Sequence, residues 1–298
     1  MNLKDLLNLV TDKKNFKDLN DYIIFCIKYL EFIPKNLQAV IISQNENNYQ
    51  FFQYNRKGNF QITRPINSNL MYNAENSDKI NSDFFNILKC IRDIKIKNIE
   101  ARNIINNSIY TIQQSIGACL DALPAGKSNT ARKLNGDLFE NFIRIILNSI
   151  GIEAKAGVVQ VPVNIEGEFA FNINYQHDLI IENNNEIKLI GSIKTSSKDR
   201  LDKIFIDKFL YSKLTETVIP HIAIFLNDVQ RKNTRKENEY GINSTFLPGH
   251  FKGYTVKLNP LDGVYYCDIR PNMRTEKILK DHIKTIDNLL ITDIWKFL

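Results

Sequence analysis

Apolar positions recur at helical spacing in the first half of the chain and gather into short continuous runs in the second. Leu3, Leu6, Leu7 and Val10 fall three or four residues apart, and residues 22–32 are apolar and aromatic. The spacing predicts helix over residues 3–31, ended by Pro34. Residues 38–43, 49–54 and 60–63 read as strands of a small meander, the last two joined by a turn at Asn55-Arg56-Lys57-Gly58-Asn59. Helical spacing returns over residues 78–122, with Phe84, Phe85, Ile87, Leu88 and Ile91 mostly on one face. A strong amphipathic helix is expected from Asn135 to Ile150. Phe139, Phe142, Ile143, Ile146 and Leu147 form its buried stripe, and Gly151 stops it.

Strands are expected next over residues 153–163 and 169–181. Leu179-Ile180-Ile181 and the run from Ile187 to Ile193 are apolar throughout, as in strands buried on both faces. Glu182-Asn183-Asn184-Asn185-Glu186 lies between them. Asn tolerates positive φ, so this segment predicts a β-hairpin turning about Asn185. A helix over residues 198–212, a strand over 218–226, a charged loop over 228–240, a short strand over 263–266 and a closing helix over 275–290 complete the pattern, with Trp295 anchoring the end. The order helix–strand–strand–strand–helix–strand predicts an α/β sandwich with a mixed β-sheet flanked by helices. The break at residues 121–130 suggests two parts: an N-terminal helical and meander region, 1–122, that supports DNA binding or dimer contacts, and a main domain, 123–298.

The candidate chemistry sits on the hairpin. A turn about Asn185 sets Asp178 opposite Ser192, and strand periodicity puts Ser192 and Lys194 on that same face. Beyond Lys194, Ser196 or Ser197 is placed to N-cap a helix on which Arg200 and Asp207 share a face. Asp207 then offers a second carboxylate. Two carboxylates and a lysine suit metal-dependent phosphodiester hydrolysis: the acids hold Mg2+ through hard oxygens, and the lysine stabilises developing charge.

Composition narrows the picture further. The chain carries a net charge of +6, which suits a polyanionic partner. Lys127 within the 121–130 break, with Arg132 and Lys133 just after it, reads as a basic loop facing DNA phosphates; Arg56 and Lys57 at the meander tip are within reach of a phosphate backbone but read better as a solvated turn. Gly126-Lys127-Ser128 is not a P-loop, because Asp121 stands where that motif needs glycine. The four cysteines are scattered, with no C-x-x-C pair, and read as reduced thiols in a cytoplasmic protein. The first residues lack a signal-peptide core, and no apolar run approaches a membrane span. His250, with no partner in view, reads as structural.

Asp178…Ser192-Ile193-Lys194 resembles the PD-(D/E)XK nuclease motif, with Ser in the place of the second acid. The segment from Lys194 to Arg200, followed by Asp207, resembles the EcoRII/SsoII/PspGI branch of type II restriction endonucleases. There the missing acid comes from the following helix at the offset where Asp207 stands. The resemblance implies a PD-(D/E)XK restriction-endonuclease-like core. It implies that Asp178, Asp207 and Glu140 hold Mg2+ and that Lys198, Asp199 and Arg200 read cytosine–guanine pairs. The implied activity is sequence-specific cleavage of double-stranded DNA at a short palindrome of CC…GG type. A palindrome wants a two-fold homodimer, and host protection wants a cognate DNA methyltransferase as genetic partner. A structure-selective repair or recombination nuclease and a non-catalytic DNA-binding protein are the alternatives.

Overall fold

The computed structural model describes residues 1–298 apart from Lys57, Gly58, Asp199, Arg235, Glu237 and Asn238. Helices α1 (Leu3–Thr11) and α2 (Leu19–Asn36) both start on capping boxes, Asn2 with Asp5 and Asp18 with Asp21. Pro34 does not end α2. It removes one backbone donor in the last turn, and the Leu37 N–H still closes that turn on the Ile33 carbonyl. The meander forms as β1 (Leu37–Ile42), β2 (Tyr49–Arg56) and β3 (Asn59–Ile62), with β4 (Ile66–Asn67) beside β2. Residues 78–122 hold α3 (Phe84–Lys89) and α4 (Ile99–Leu120), with a break around Cys90; the further apolar helix expected over residues 109–123 is the second half of α4.

Helix α5 (Ser128–Ser149) starts seven residues before Asn135. Asn135-Gly136 has the local preference of a breaker, but Asn135 is buried in the helix interior. Its carbonyl and side-chain oxygens accept from the Gln113 amide at 3.0 and 2.9 Å, and that tertiary contact overrides weak propensity. Arg132 and Lys133 therefore ride on a helix, not a loop. The expected apolar stripe is buried, with Leu138 added to it.

A six-stranded mixed sheet follows, in the order β12-β11-β8-β7-β6-β5. Its strands are β5 (Ala154–Ile165), β6 (Glu168–Asn183), β7 (Glu186–Ser196), β8 (His221–Asn227), β11 (Gly263–Tyr266) and β12 (Ile283–Thr285). The pairs β5/β6 and β6/β7 are antiparallel; β7/β8, β8/β11 and β11/β12 are parallel. Helix α6 (Leu201–Thr215) makes the crossover from β7 to β8. The charged segment expected to be a loop forms a hairpin, β9 (Val229–Asn233) and β10 (Tyr240–Ser244), followed by α7 (Pro248–Lys257). The expected closing helix is interrupted by β12, where Ile283 enters the core beside Val264.

The sheet is packed on both faces. Leu179, Ile181, Leu189, Ile193 and Ile222 join the α5 stripe, while Ala223 and Phe225 meet Leu201, Ile204 and Phe205 of α6. The larger core runs from Leu6 to Ile294 and crosses residue 122, so the N-terminal helices and the sheet bury one another. No helix among the described residues is long and apolar enough to cross a membrane.

Candidate active site

The hairpin that carries the candidate chemistry turns at Asn184 and Asn185, with φ of 53° and 62°. Both are left-handed, as a two-residue turn between twisted strands requires. That turn alone would pair the strands one residue out of the expected register. Lys188 restores it by bulging from β7, so that Ile181 faces Leu189, Ile180 faces Ile190 and Leu179 faces Gly191.

The ladder ends one pair short of Asp178 and Ser192. On the other side of β6, Asp178 and Leu179 together oppose the single residue between Lys155 and Gly157. Asp178 thus lies in a bulge where both ladders release the strand. Freed from pairing, its Oδ2 accepts the Ile193 N–H at 2.9 Å and stands 2.5 Å from Lys194 Nζ. Its carbonyl accepts from Arg144 at 2.8 Å. Lys194 Nζ also lies 3.1 Å from Glu140 Oε1. Glu140 and Arg144 are one turn apart on α5 and share a face. One ammonium therefore sits between two partly buried carboxylates. Burial, and then the charge of Asp178, push the Glu140 carboxyl above its usual range; Lys194 and Arg144 pull against that rise.

Asp207 is not drawn into this cluster. Its carboxylate is 2.8 Å from Lys203 Nζ, one turn back on α6. Its charge acts on Tyr175, His177 and His221. These rings lie against Tyr211 of α6, and burial holds His177 down to about 4. Ser192 is half-buried and has no side-chain hydrogen bond to a described residue. The expected cap on α6 does not form: Arg200 occupies that position without a side-chain bond, and Ser196 Oγ accepts from the Lys198 N–H instead. Among the described residues no three His, Cys, Asp or Glu side chains gather as a metal site.

Lys194 opens into a groove of about 1580 Å³. One wall is the start of α5 with Arg132 and Lys133, and another is the end of β7 with Lys198 and Arg200. The β9–β10 hairpin adds Gln230 and Arg231, and Gln61, Arg64 and the turn after α4 with Asp121 and Pro124 also line it. Lys127 does not line the groove. Asp199, Lys57 and the side chain of Arg56 lie outside the described residues.

No protein-family model matches the chain, and no curated protein matches it. Among solved structures, the type IIP restriction endonuclease Kpn2I superposes with a TM-score of 0.69 at 19% identity, over 99% of this chain and 97% of that one. The fold is that of a type II restriction endonuclease.

On this fold the structure brings together Asp178, Lys194 and Glu140, and lays Arg132, Lys133, Lys198 and Arg200 along the same groove. No hydrogen bond or ion pair joins Asp207 or Ser192 to Lys194. Sequence reasoning missed Arg144, although its place four residues after Glu140 was a readable signal. It also missed the hairpin residues, because high charge between residues 228 and 240 masked a strand pair. His250 has a partner after all, Asp202 at 3.3 Å on the α6 surface.

Proposed function

We propose that this protein is a type II restriction endonuclease that hydrolyses phosphodiester bonds in double-stranded DNA, with Mg2+, at a short palindromic site of CC…GG type. The observation that carries the reading is the Asp178–Lys194–Glu140 cluster at the base of a basic groove on a restriction-endonuclease fold. The donor set fits the metal. Mg2+ takes one or two carboxylates and keeps several waters, and Asp178 and Glu140 already flank a cation, the Lys194 ammonium. These two acids would hold the ion, which when bound polarises the phosphate and acidifies a bound water. This departs from the expected pair of Asp178 and Asp207, whose carboxylates no contact joins.

The chain's own groups do the rest. Lys194 donates to the non-bridging oxygen on which charge builds in the transition state. The Ile193 N–H and Arg144 fix Asp178 at both its carboxylate and its carbonyl. Arg132 and Lys133 neutralise backbone phosphates in the groove, and Lys127 acts only on phosphates beyond its edge, while Lys198 and Arg200 donate to guanine O6 and N7. A palindrome calls for a two-fold dimer, and the host for a methyltransferase that protects its own sites.

Two observations favour the non-catalytic reading: Ser stands at position 192, and Asp207 is engaged by Lys203. Plasmid DNA incubated with Mg2+ and either the wild type or Lys194→Ala separates the readings. Discrete fragments from the wild type alone support the enzyme, and their ends give the site. Specific binding without cleavage at any metal concentration, on single- or two-site plasmids, supports a DNA-binding protein. Preference for branched over linear duplex supports a repair nuclease.

A further inference from the structure

The β9–β10 hairpin is held far more firmly than a surface hairpin needs. Val229 and Ile242 pack with Tyr49 and Phe51 of β2. Arg231 donates to the Ile62 carbonyl at 2.8 Å and lies over the Tyr240 ring. The Asn45 side chain, from the loop between β1 and β2, pairs with the Ile242 backbone through both its amide atoms, each at 2.9 Å. In this way it imitates a neighbouring strand. Gly241 permits that approach, since a Cβ there would meet Asn45 Oδ1 at 2.9 Å. At the hairpin's base, Ser244 and Thr245 both donate to Asp228, at 2.7 Å each.

These anchors leave two groove-lining amides of β9 unused, the exposed Asn233 and the half-buried Gln230. Gln230 lies next to Arg231 on β9, is half-buried, lines the groove that opens over Lys194, and has no side-chain hydrogen bond to a described residue. A primary amide offers a donor and an acceptor side by side. That arrangement matches the N7 acceptor and N6 donor of adenine in the major groove.

We infer that the β9–β10 hairpin is a base-reading wall of the groove. Gln230 contacts an adenine outside the pairs read by Lys198 and Arg200, and Asn45 is the positioning residue that sets its depth. The inference rests on the DNA-cleaving reading above. It gives residues 1–122 a part in the site: the meander holds the hairpin at the groove.

The test is selection of bound duplexes from a randomised pool, in EDTA so that nothing is cut, with wild type, Gln230→Ala and Asn45→Ala, each checked for an unchanged circular-dichroism spectrum. The wild type should enrich a site that contains an A·T pair. Gln230→Ala should lose preference at that one position by about tenfold or more. Asn45→Ala should relax the same position, a pattern that general destabilisation does not produce. If Gln230→Ala selects the same site with the same stringency, the inference fails, and plasmid cleavage by the wild type leaves the nuclease reading standing. If the wild type enriches no sequence and cuts no plasmid, both fall.

Discussion

Lys194 holds two like charges together. Replacing it with Met, close in volume, leaves Asp178 and Glu140 facing each other without a cation, and the Glu140 carboxyl should climb further above its usual range. Single-turnover cleavage should fall by about 10²–10³-fold, while duplex binding in EDTA, read by anisotropy, stays within a few-fold of wild type. His177 belongs to the fold rather than the chemistry. Burial lowers it from 6.5 to about 4, so the unfolded chain binds a proton that the folded chain refuses. Its share of stability is full above pH 6.5 and is lost as pH falls from 6.5 towards 4. Between pH 7 and pH 5, urea unfolding of wild type should therefore lose about 1–2 kcal/mol more than His177→Gln. The single residues of the site were unevenly legible. Asp178 and Lys194 stood out because a hairpin brings them close in sequence. Their link to Glu140 joins a helix to a strand, and no local spacing reports such a contact. Asp207 is held by Lys203 on the His177 side of the fold, which the helix spacing alone did not report.

The strand that carries Lys194 has little room for error. Gly191 passes between Leu179 and Ile222, and an added Cβ would meet Leu179 Cδ2 at 2.9 Å and Ile222 Cγ1 at 3.2 Å. Gly191→Ala should cost about 1–3 kcal/mol in urea unfolding. It should also slow cleavage, because Lys194 lies three residues along the same strand. The apolar runs and the triple Asn made the hairpin readable. The bulges were not readable: Lys188 and the Asp178–Leu179 pair arise from neighbouring ladders that disagree in register, which a single strand's pattern does not carry. Helix α5 and the β9–β10 hairpin were misread for the opposite reason. Strong local signals, Asn135-Gly136 in one and dense charge in the other, lost to contacts from distant segments.

Across the whole molecule, α5 shows one face to the N-terminal helices and another to the sheet. A fragment of residues 123–298 would expose the first of these faces. Expressed alone, it should aggregate or give a molten state, seen as lost near-ultraviolet dichroism and strong dye binding. The intact protein, 34.6 kDa as one chain, should sediment at twice that mass if it reads a palindrome. The mixed sheet and its flanking helices were legible in the sequence as an order of elements. The proposed boundary at residue 122 was drawn from a turn signal at residues 121–130. Turn chemistry marks where a chain changes direction, not where one core stops and another begins.

The core that joins Leu6 to Ile294 also makes the groove depend on segments far apart in the chain. Contacts between the two ends of a chain form late and slowly, and the groove needs Gln61, Glu140, Lys194 and Arg231 at once. A chain still emerging from the ribosome therefore has no groove, and a proteolytic fragment never acquires one.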